Sequence, residues 1–444
     1  MEENSVKENL IKENTIKEQS FQKYIILWLS QSVSGLGSSM TGFALVLWAY
    51  GQSHSAMSVS LMSFCNYVPY VFLSLFIGGF IDRHKKKTIM LVSDSVAAAG
   101  SLAVLGFWLA GCLEVRHIYV INVVIGVTNA FQQPASAVAT GRLVPKEKIS
   151  NVSGMNSFSN NLIVVFSPML AAFLFAAGGL PLILLIDLAS FVLAFCVLLF
   201  FIVIPEQTQD KAYHSPFAGI AEGFAFLKKE KGILYIMLTM ALINFFSRLT
   251  YENILSPMIL ARSFGDSIAL GTVNACMGIG GIAGGIIVSV KKESRRKAAA
   301  IYVSAALSFL FGDLLMAVGK NVFWWSAAAV AASLPIPFIQ ASQNAILYRR
   351  IPVSMQGRVF AVRNAIQYST IPAGIILGGY LADYVFEPFM LSGSRLAGTL
   401  GTILGNGAGS GMAAMFLCTG ICGFTVSMAS CFNREIRKLN GSDQ

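Results

Sequence analysis

Arg248 and Glu252 are charged side chains inside an otherwise apolar run, NFFSRLTYENILSP. Four residues apart, they fall one helical turn from each other on the face that also carries Asn244 and Leu255. That spacing permits an ion pair, and an ionisable side chain inside an apolar run of this length is by default a functional candidate, here for proton coupling or cation binding. The competing reading sets the pair near the headgroups, because Glu252 lies only about one and a half turns from the end of its run. Asp187 and Asp313 sit deeper in two other apolar runs, flanked by Leu or Gly. A carboxylate at membrane depth costs about 2.5–3.5 kcal/mol on insertion scales, so each must face protein, and each is a second-rank candidate for the same chemistry. Asp94 stands roughly 9 Å into its run and so near one gate of a bundle. Uncharged polar groups, Gln31, Ser34, Ser38, Gln132, Gln133 and Asn244, are candidates to line a cavity and orient a ligand. Trp28, Trp48, Phe245, Phe246 and Tyr251 would give such a cavity an apolar wall, although helix packing and interfacial belts use the same residue types.

The elements that position these groups are membrane helices. Of 444 residues, 55% are hydrophobic and 12% charged, with a mean hydropathy of +0.66, far from the usual quarter of charged residues in soluble domains. Apolar runs of about 20 residues, each long enough to cross a bilayer as a helix, recur along the chain. Twelve are read: Tyr24 to Tyr50, Ala56 to Ile81, Thr88 to Gly111, Ile118 to Thr140, Ser153 to Ala177, Leu180 to Ile204, Ile233 to Pro257, Ile268 to Val290, Ala298 to Gly319, Val322 to Leu347, Phe360 to Tyr384 and Met412 to Phe432.

A net charge of +10 invites a nucleic-acid reading, and the distribution of the charge removes it. Of 32 Lys and Arg, 27 fall in the two tails, in the loops on the tails' side or, for Arg363, within the first turn of the adjoining span. The opposite loops hold Arg116, Arg262, Lys320 and Arg395, and Arg248 lies inside a span. By the positive-inside rule both termini are expected in the cytoplasm, and the asymmetry supports an even number of spans. The first twenty residues alternate Lys and Glu without an apolar core, so they read as a polar tail and not as a signal peptide. The seven cysteines have no metal-like spacing, and Cys418 and Cys422, four apart on one helix, read as packing residues. No metal and no cofactor is expected.

Residues 205–232 divide the spans six and six, giving a tail (1–23), a first half (24–204), a linker (205–232), a second half (233–432) and a second tail (433–444). Within the linker Phe217, Ile220, Phe224 and Leu227 have the spacing of an amphipathic interfacial helix. FQQPASAVATGRLVPKEKIS, from Phe131, lies over FIQASQNAILYRRIPVSMQG, from Phe338, with Phe, Gln, Arg and Pro in step at a shift of 207. Both segments precede a span with an early proline, Pro168 and Pro372. This is the trace of a duplicated six-span unit, the arrangement of transporters whose halves rock about a midplane site.

GGFIDRHKKKTIML, between the second and third spans, carries Gly78, Asp82, Arg83, Lys86 and Lys87 in the pattern G-x-x-x-D-[RK]-x-G-[RK]-[RK]. The chain thereby resembles the major facilitator superfamily over its whole length, which implies an all-α fold of twelve transmembrane helices in two pseudo-symmetric six-helix halves. The resemblance implies a conformational latch in which Gly78 permits close helix packing and Asp82, with Arg83, meets the start of span eleven, where Arg358 and Arg363 are near, supported by Asp94. Lys85 stands where the family has glycine, and the second-half counterpart, GGIIVSVKKESRRK, has no acid at that place. Within the family PLILLIDLASFVL, GRVFAVRNAIQYSTIPAG and GGYLADYVFEPFM resemble the bacterial drug and macrolide efflux branch, which also includes siderophore exporters. Two signatures of proton-driven exporters are altered: Asn122 occupies the arginine position before Gly126, and Ser167 with Pro168 replaces Gly-Pro.

The expected function is proton-coupled export of a small amphipathic compound from the cell membrane, with protons and a small-molecule substrate as partners and no nucleic acid. Uptake, siderophore release and lipid flipping are alternatives within the fold, and a non-transporting receptor is the alternative outside it. An enzyme is not expected: the sequence shows no soluble catalytic domain, no histidine cluster and no nucleotide loop, since the glycines at 280, 281, 284 and 285 lie inside an apolar span.

Overall fold

The computed structural model describes residues 2–74, 77, 80, 81, 84–145, 148–204, 216–290 and 296–436. The first four helices are α1 (Glu2–Ser53), α2 (Ala56–Ser74), α3 (Lys86–Leu109) and α4 (Val115–Leu143). Helix then runs from Ile149 to Cys196 with one break at Gly179, whose φ of 67° and ψ of −167° suit glycine alone, giving α5 (149–178) and α6 (180–196). The second half comprises α7 (Lys231–Thr250), α8 (Ser267–Val290), α9 (Lys297–Leu307), α10 (Val322–Ser333), α11 (Val353–Leu381) and α12 (Ser410–Phe432).

Among the described residues nine helical stretches are long and apolar enough to cross a membrane. One of them, Phe158–Phe201, contains the Gly179 break and so crosses twice. The remaining two passes are α4 and α11, whose polar residues, Gln132 and Gln133 in one and Arg363, Asn364 and Gln367 in the other, dilute their hydropathy. The chain is an all-α membrane protein of twelve passes in two six-helix halves. An even number of passes sets both termini on one face, called proximal below, and the opposite face is distal.

Four second-half helices do not run as single rods. α7 unwinds at residues 251–254 and resumes over Leu255–Arg262, so the seventh span, expected to be continuous to Pro257, is in two pieces. Pro257 lacks the amide that would bond to the Asn253 carbonyl, which accounts for a break one turn before it. α10 is interrupted at Leu334 and Pro335 before Ile336–Arg350, and α9 passes through a π-helical turn, Ser308–Asp313, to Leu314–Val318. A second such turn, Ala382–Phe386, leads α11 into Glu387–Leu391. The linker contains a helix, Pro216–Lys229, whose Leu227 is buried with Ile233, Leu347 and Val359 of the second half.

Corresponding pairs pack alike in the two halves: α2 on α4 as α8 on α10, and α3 on α4 as α9 on the second piece of α10. The halves meet along α5 against α8 and α2 against α11. Small residues permit both approaches. A Cβ added at Gly271 of α8 would lie 2.7 Å from the Ala172 Cβ and 2.9 Å from the Pro168 carbonyl oxygen of α5. One added at Gly379 of α11 would lie 3.0 Å from the Met57 Cα of α2. In α8 itself, Gly280 and Gly284 abut α10, while Gly281 and Gly285 have open space before them. Among the described residues, one large buried apolar cluster joins the halves, and it is distal, bringing Leu47, Tyr50 and Val59 against Leu255, Met258, Leu270 and Met412.

Candidate functional site

The expected pair, Arg248 in the regular part of α7 and Glu252 in its unwound segment, lies at a cavity. The Arg248 guanidinium donates to Glu252 Oε2, and Glu252 Oε1 accepts a hydrogen bond of 2.6 Å from the Tyr67 hydroxyl of α2, in the other half. One carboxylate therefore joins a cation of its own helix to a phenol across the interface. Asn253 stabilises the break: its amide donates to the Arg248 carbonyl at 3.2 Å, replacing a main-chain bond, and reaches the Ile375 carbonyl of α11 at 3.5 Å. A cavity of about 390 Å³ opens beside the pair. Asn244, Ser247, Asp313, Gln340, Gln343 and Gln367 supply its polar lining, with Met240, Ile243, Met277 and Phe309 as apolar wall. The Gln343 side chain is buried and its Nε2 has no hydrogen-bond partner, so it presents an unused donor at the cavity.

Asp313 and Asp187 each stand at a three-helix junction. Asp313, 1% exposed, accepts from Thr419 of α12 at 2.9 Å, while the Tyr251 hydroxyl of α7 lies beside it short of hydrogen-bonding geometry. Asp187, on α6, accepts from Ser38 at 3.0 Å and Thr41 at 3.1 Å, both of α1, and from Ser101 of α3 at 2.8 Å. Asp313 lines the cavity and Asp187 is not among the residues that do. Asp94 accepts from Gln132 at 2.8 Å and Gln31 at 3.3 Å, binding α1, α3 and α4 together. Gln133 Oε1 accepts from the Tyr70 hydroxyl at 2.9 Å. Arg363 donates to Asn344 at 3.1 Å and to Asn364.

The structure thus brings together Arg248, Glu252, Asn244 and Asp313 around one cavity, and places Gln31, Gln133, Asp94 and Asp187 in first-half contacts. Tyr251 is the one member of the expected aromatic wall that lines this cavity. Gly78, Asp82 and Arg83 lie outside the described residues, as does the side chain of Arg358. Cys418 and Cys422 are exposed on α12, and among the described residues no group of three or more His, Cys, Asp or Glu is placed to hold a metal.

Two further acids were not singled out by the sequence, although both lie in GGYLADYVFEPFM. Asp383 accepts from Ser55 Oγ at 2.5 Å and from the backbone amides of Ala56 and Met57 at 3.0 and 2.9 Å. Glu387, one turn on, accepts from the amides of Gly409 and Gly411 at 2.5 and 2.9 Å. Both border a distal cavity of about 890 Å³ between the halves, together with Trp48, Tyr50 and His54. A third hollow, about 630 Å³ and walled mainly by apolar residues of α3 and α4, includes the exposed Val92, Val96 and Val123 and faces the bilayer.

Residues 27–374 match the sequence model of the Major Facilitator Superfamily. Macrolide efflux protein A of Streptococcus pyogenes is 28% identical over 390 residues, which cover 84% of this chain and 93% of the relative. Multidrug efflux pump Tap of Mycolicibacterium fortuitum is 20% identical over 382 residues, covering 81% and 89%. Among solved structures, a bacterial homologue of the iron transporter ferroportin in an inward-facing state has a TM-score of 0.68 at 14% identity, covering 93% of this chain and 99% of that one. The nucleoside transporter NupG has a TM-score of 0.64 at 13% identity, covering 91% and 98%.

Proposed function

The chain belongs to the major facilitator superfamily, and from that premise we propose that it exports a small amphipathic compound across the cell membrane by alternating access, driven by protons moving inward. The carrying observation is the Arg248–Glu252–Tyr67 group, which puts a titratable carboxylate at a cavity and at the boundary of the two halves at once. Protonation of Glu252 removes the charge that holds Arg248 and weakens the acceptor for Tyr67, so proton binding and the inter-half contact are linked through one side chain. Asp313 is the second proton candidate, because it lines the same cavity with a hydroxyl as its bonded partner. Asn244 and the glutamines around it provide neutral donors and acceptors for a partly polar cargo, and the Met, Ile and Phe side chains provide apolar contact.

The relatives named for macrolide and multidrug efflux support export of such compounds. The 27-to-4 bias of basic residues supports a cytoplasmic proximal face, so the distal closure described above corresponds to an inward-facing arrangement. In the opposite arrangement Gly78, Asp82 and Arg83 would latch to the start of α11, where Arg358 and Arg363 lie.

Efflux of a panel of macrolides and lipophilic cations from proteoliposomes, with and without a pH gradient, tests this reading. Gradient-driven movement is expected, and Glu252→Gln should abolish gradient dependence while retaining facilitated exchange of the compound. Transport indifferent to the gradient removes the proton, and movement of no compound removes the exporter.

A further inference from the structure

We propose that Asp383 is a distal gate residue, a carboxylate on one half that caps a helix of the other and so holds the distal face shut. This rests on the alternating-access reading above and adds to it a residue and a contact. The first turn of any helix leaves backbone amides without intrahelical partners. At the start of α2 the local cap is Ser55, whose Oγ accepts from the Ser58 amide at 3.1 Å. The two amides it leaves, Ala56 and Met57, are taken by Asp383 from across the interface, and the Ser55 hydroxyl proton is directed to the same carboxylate. Three donors of the first half thus converge on one anion of the second, at the positive end of α2.

The surrounding geometry serves this contact. The π-helical turn Ala382–Phe386 displaces Asp383 from the regular face of α11, and such turns are frequent at functional positions. One turn earlier, Gly379 lets α11 approach Ser60 and Met57 of α2. Glu387 is the built-in control: it caps α12 by the same chemistry, yet both partners belong to the second half. Separating the halves at the distal face must break the Asp383 contacts and leaves those of Glu387 intact.

The test reads distances and requires no substrate. Spin labels are placed on Cys112, in the α3–α4 loop, and on Lys320→Cys, in the α9–α10 loop, with the other six cysteines replaced, in the full-length protein in nanodiscs. Asp383→Asn should raise the population with long distal distances about tenfold, as expected for loss of a charge-assisted acceptor, and Ser55→Ala about three- to fivefold. Glu387→Gln should lower the melting temperature without moving the distribution. Unchanged distributions in both Asp383→Asn and Ser55→Ala overturn the proposal, as does an equal shift from Glu387→Gln. Asp383→Glu, which keeps the charge, retains the wild-type distribution if the gate is real and covers the case in which Asp383→Asn fails to fold. A protein that moves no compound but shows these shifts would retain the gate and lose the exporter reading.

Discussion

Asp187 and Asp313 occupy related places in the two halves and are held differently. Each is buried where three helices meet, and each faces a glycine that lets a neighbouring helix come close: Gly37 of α1 for Asp187, Gly420 of α12 for Asp313. Asp187 has three hydroxyl donors from two other helices, whereas Asp313 has one, with the Tyr251 hydroxyl near but not bonded. A carboxyl that accepts from three donors on two other helices is a fastener, since removing it strands all three. A carboxyl with acceptor capacity left over and a cavity before it can change its partners. Burial of an acid in a membrane is therefore a poor guide to its task until its hydrogen bonds are counted.

Asp187→Ala should cause the largest loss in stability, about 2–4 kcal/mol, because Ser38, Thr41 and Ser101 lose a shared partner. Thermal unfolding in detergent measures it, and the surviving protein should keep its gradient dependence. Asp313→Asn sharpens the contrast: an amide oxygen still accepts from Thr419, so stability should change by less than about 1 kcal/mol while gradient-driven transport falls roughly tenfold. If that variant unfolds as readily as Asp187→Ala, the two acids are the same kind of fastener and the comparison fails. The smallest expected effect is Ser101→Ala, about 1 kcal/mol or less, since Asp187 retains two donors.

Hydropathy and charge carried the twelve helices into view, because a bilayer demands helices of a set length and a set charge bias, and the linker, the internal repeat and the family resemblance grouped them into halves. The Arg248–Glu252 contact was legible for a similar reason: a four-residue spacing on a helix is a distance. Tyr67 was not, because its meeting with Glu252 depends on how α2 lies against α7, and no local spacing encodes that. Gln31 and Gln133 had the right chemistry for a cavity, yet Gln31 serves Asp94 and Gln133 serves Tyr70. Asp383 was hidden differently: its donors are backbone amides, which carry no residue signature, and a π-helical turn sets its direction. The span was read as continuous to Pro257, although that proline removes an amide from the ladder, and which carbonyl would be left open, and that Asn253 would occupy it, required the fold.

That substitution of a side-chain amide for a main-chain bond alters how α7 carries load. An intact helix is a stiff strut, and one whose ladder is spliced by a flexible side chain yields at the splice. Residues 231–250 are fixed to the cavity, and Leu255–Arg262 contribute to the distal cluster that joins the halves. Glu252 sits at the joint between them. A movement of residues 231–250 can thus be taken up as a bend at one point, without dragging the distal cluster along with it.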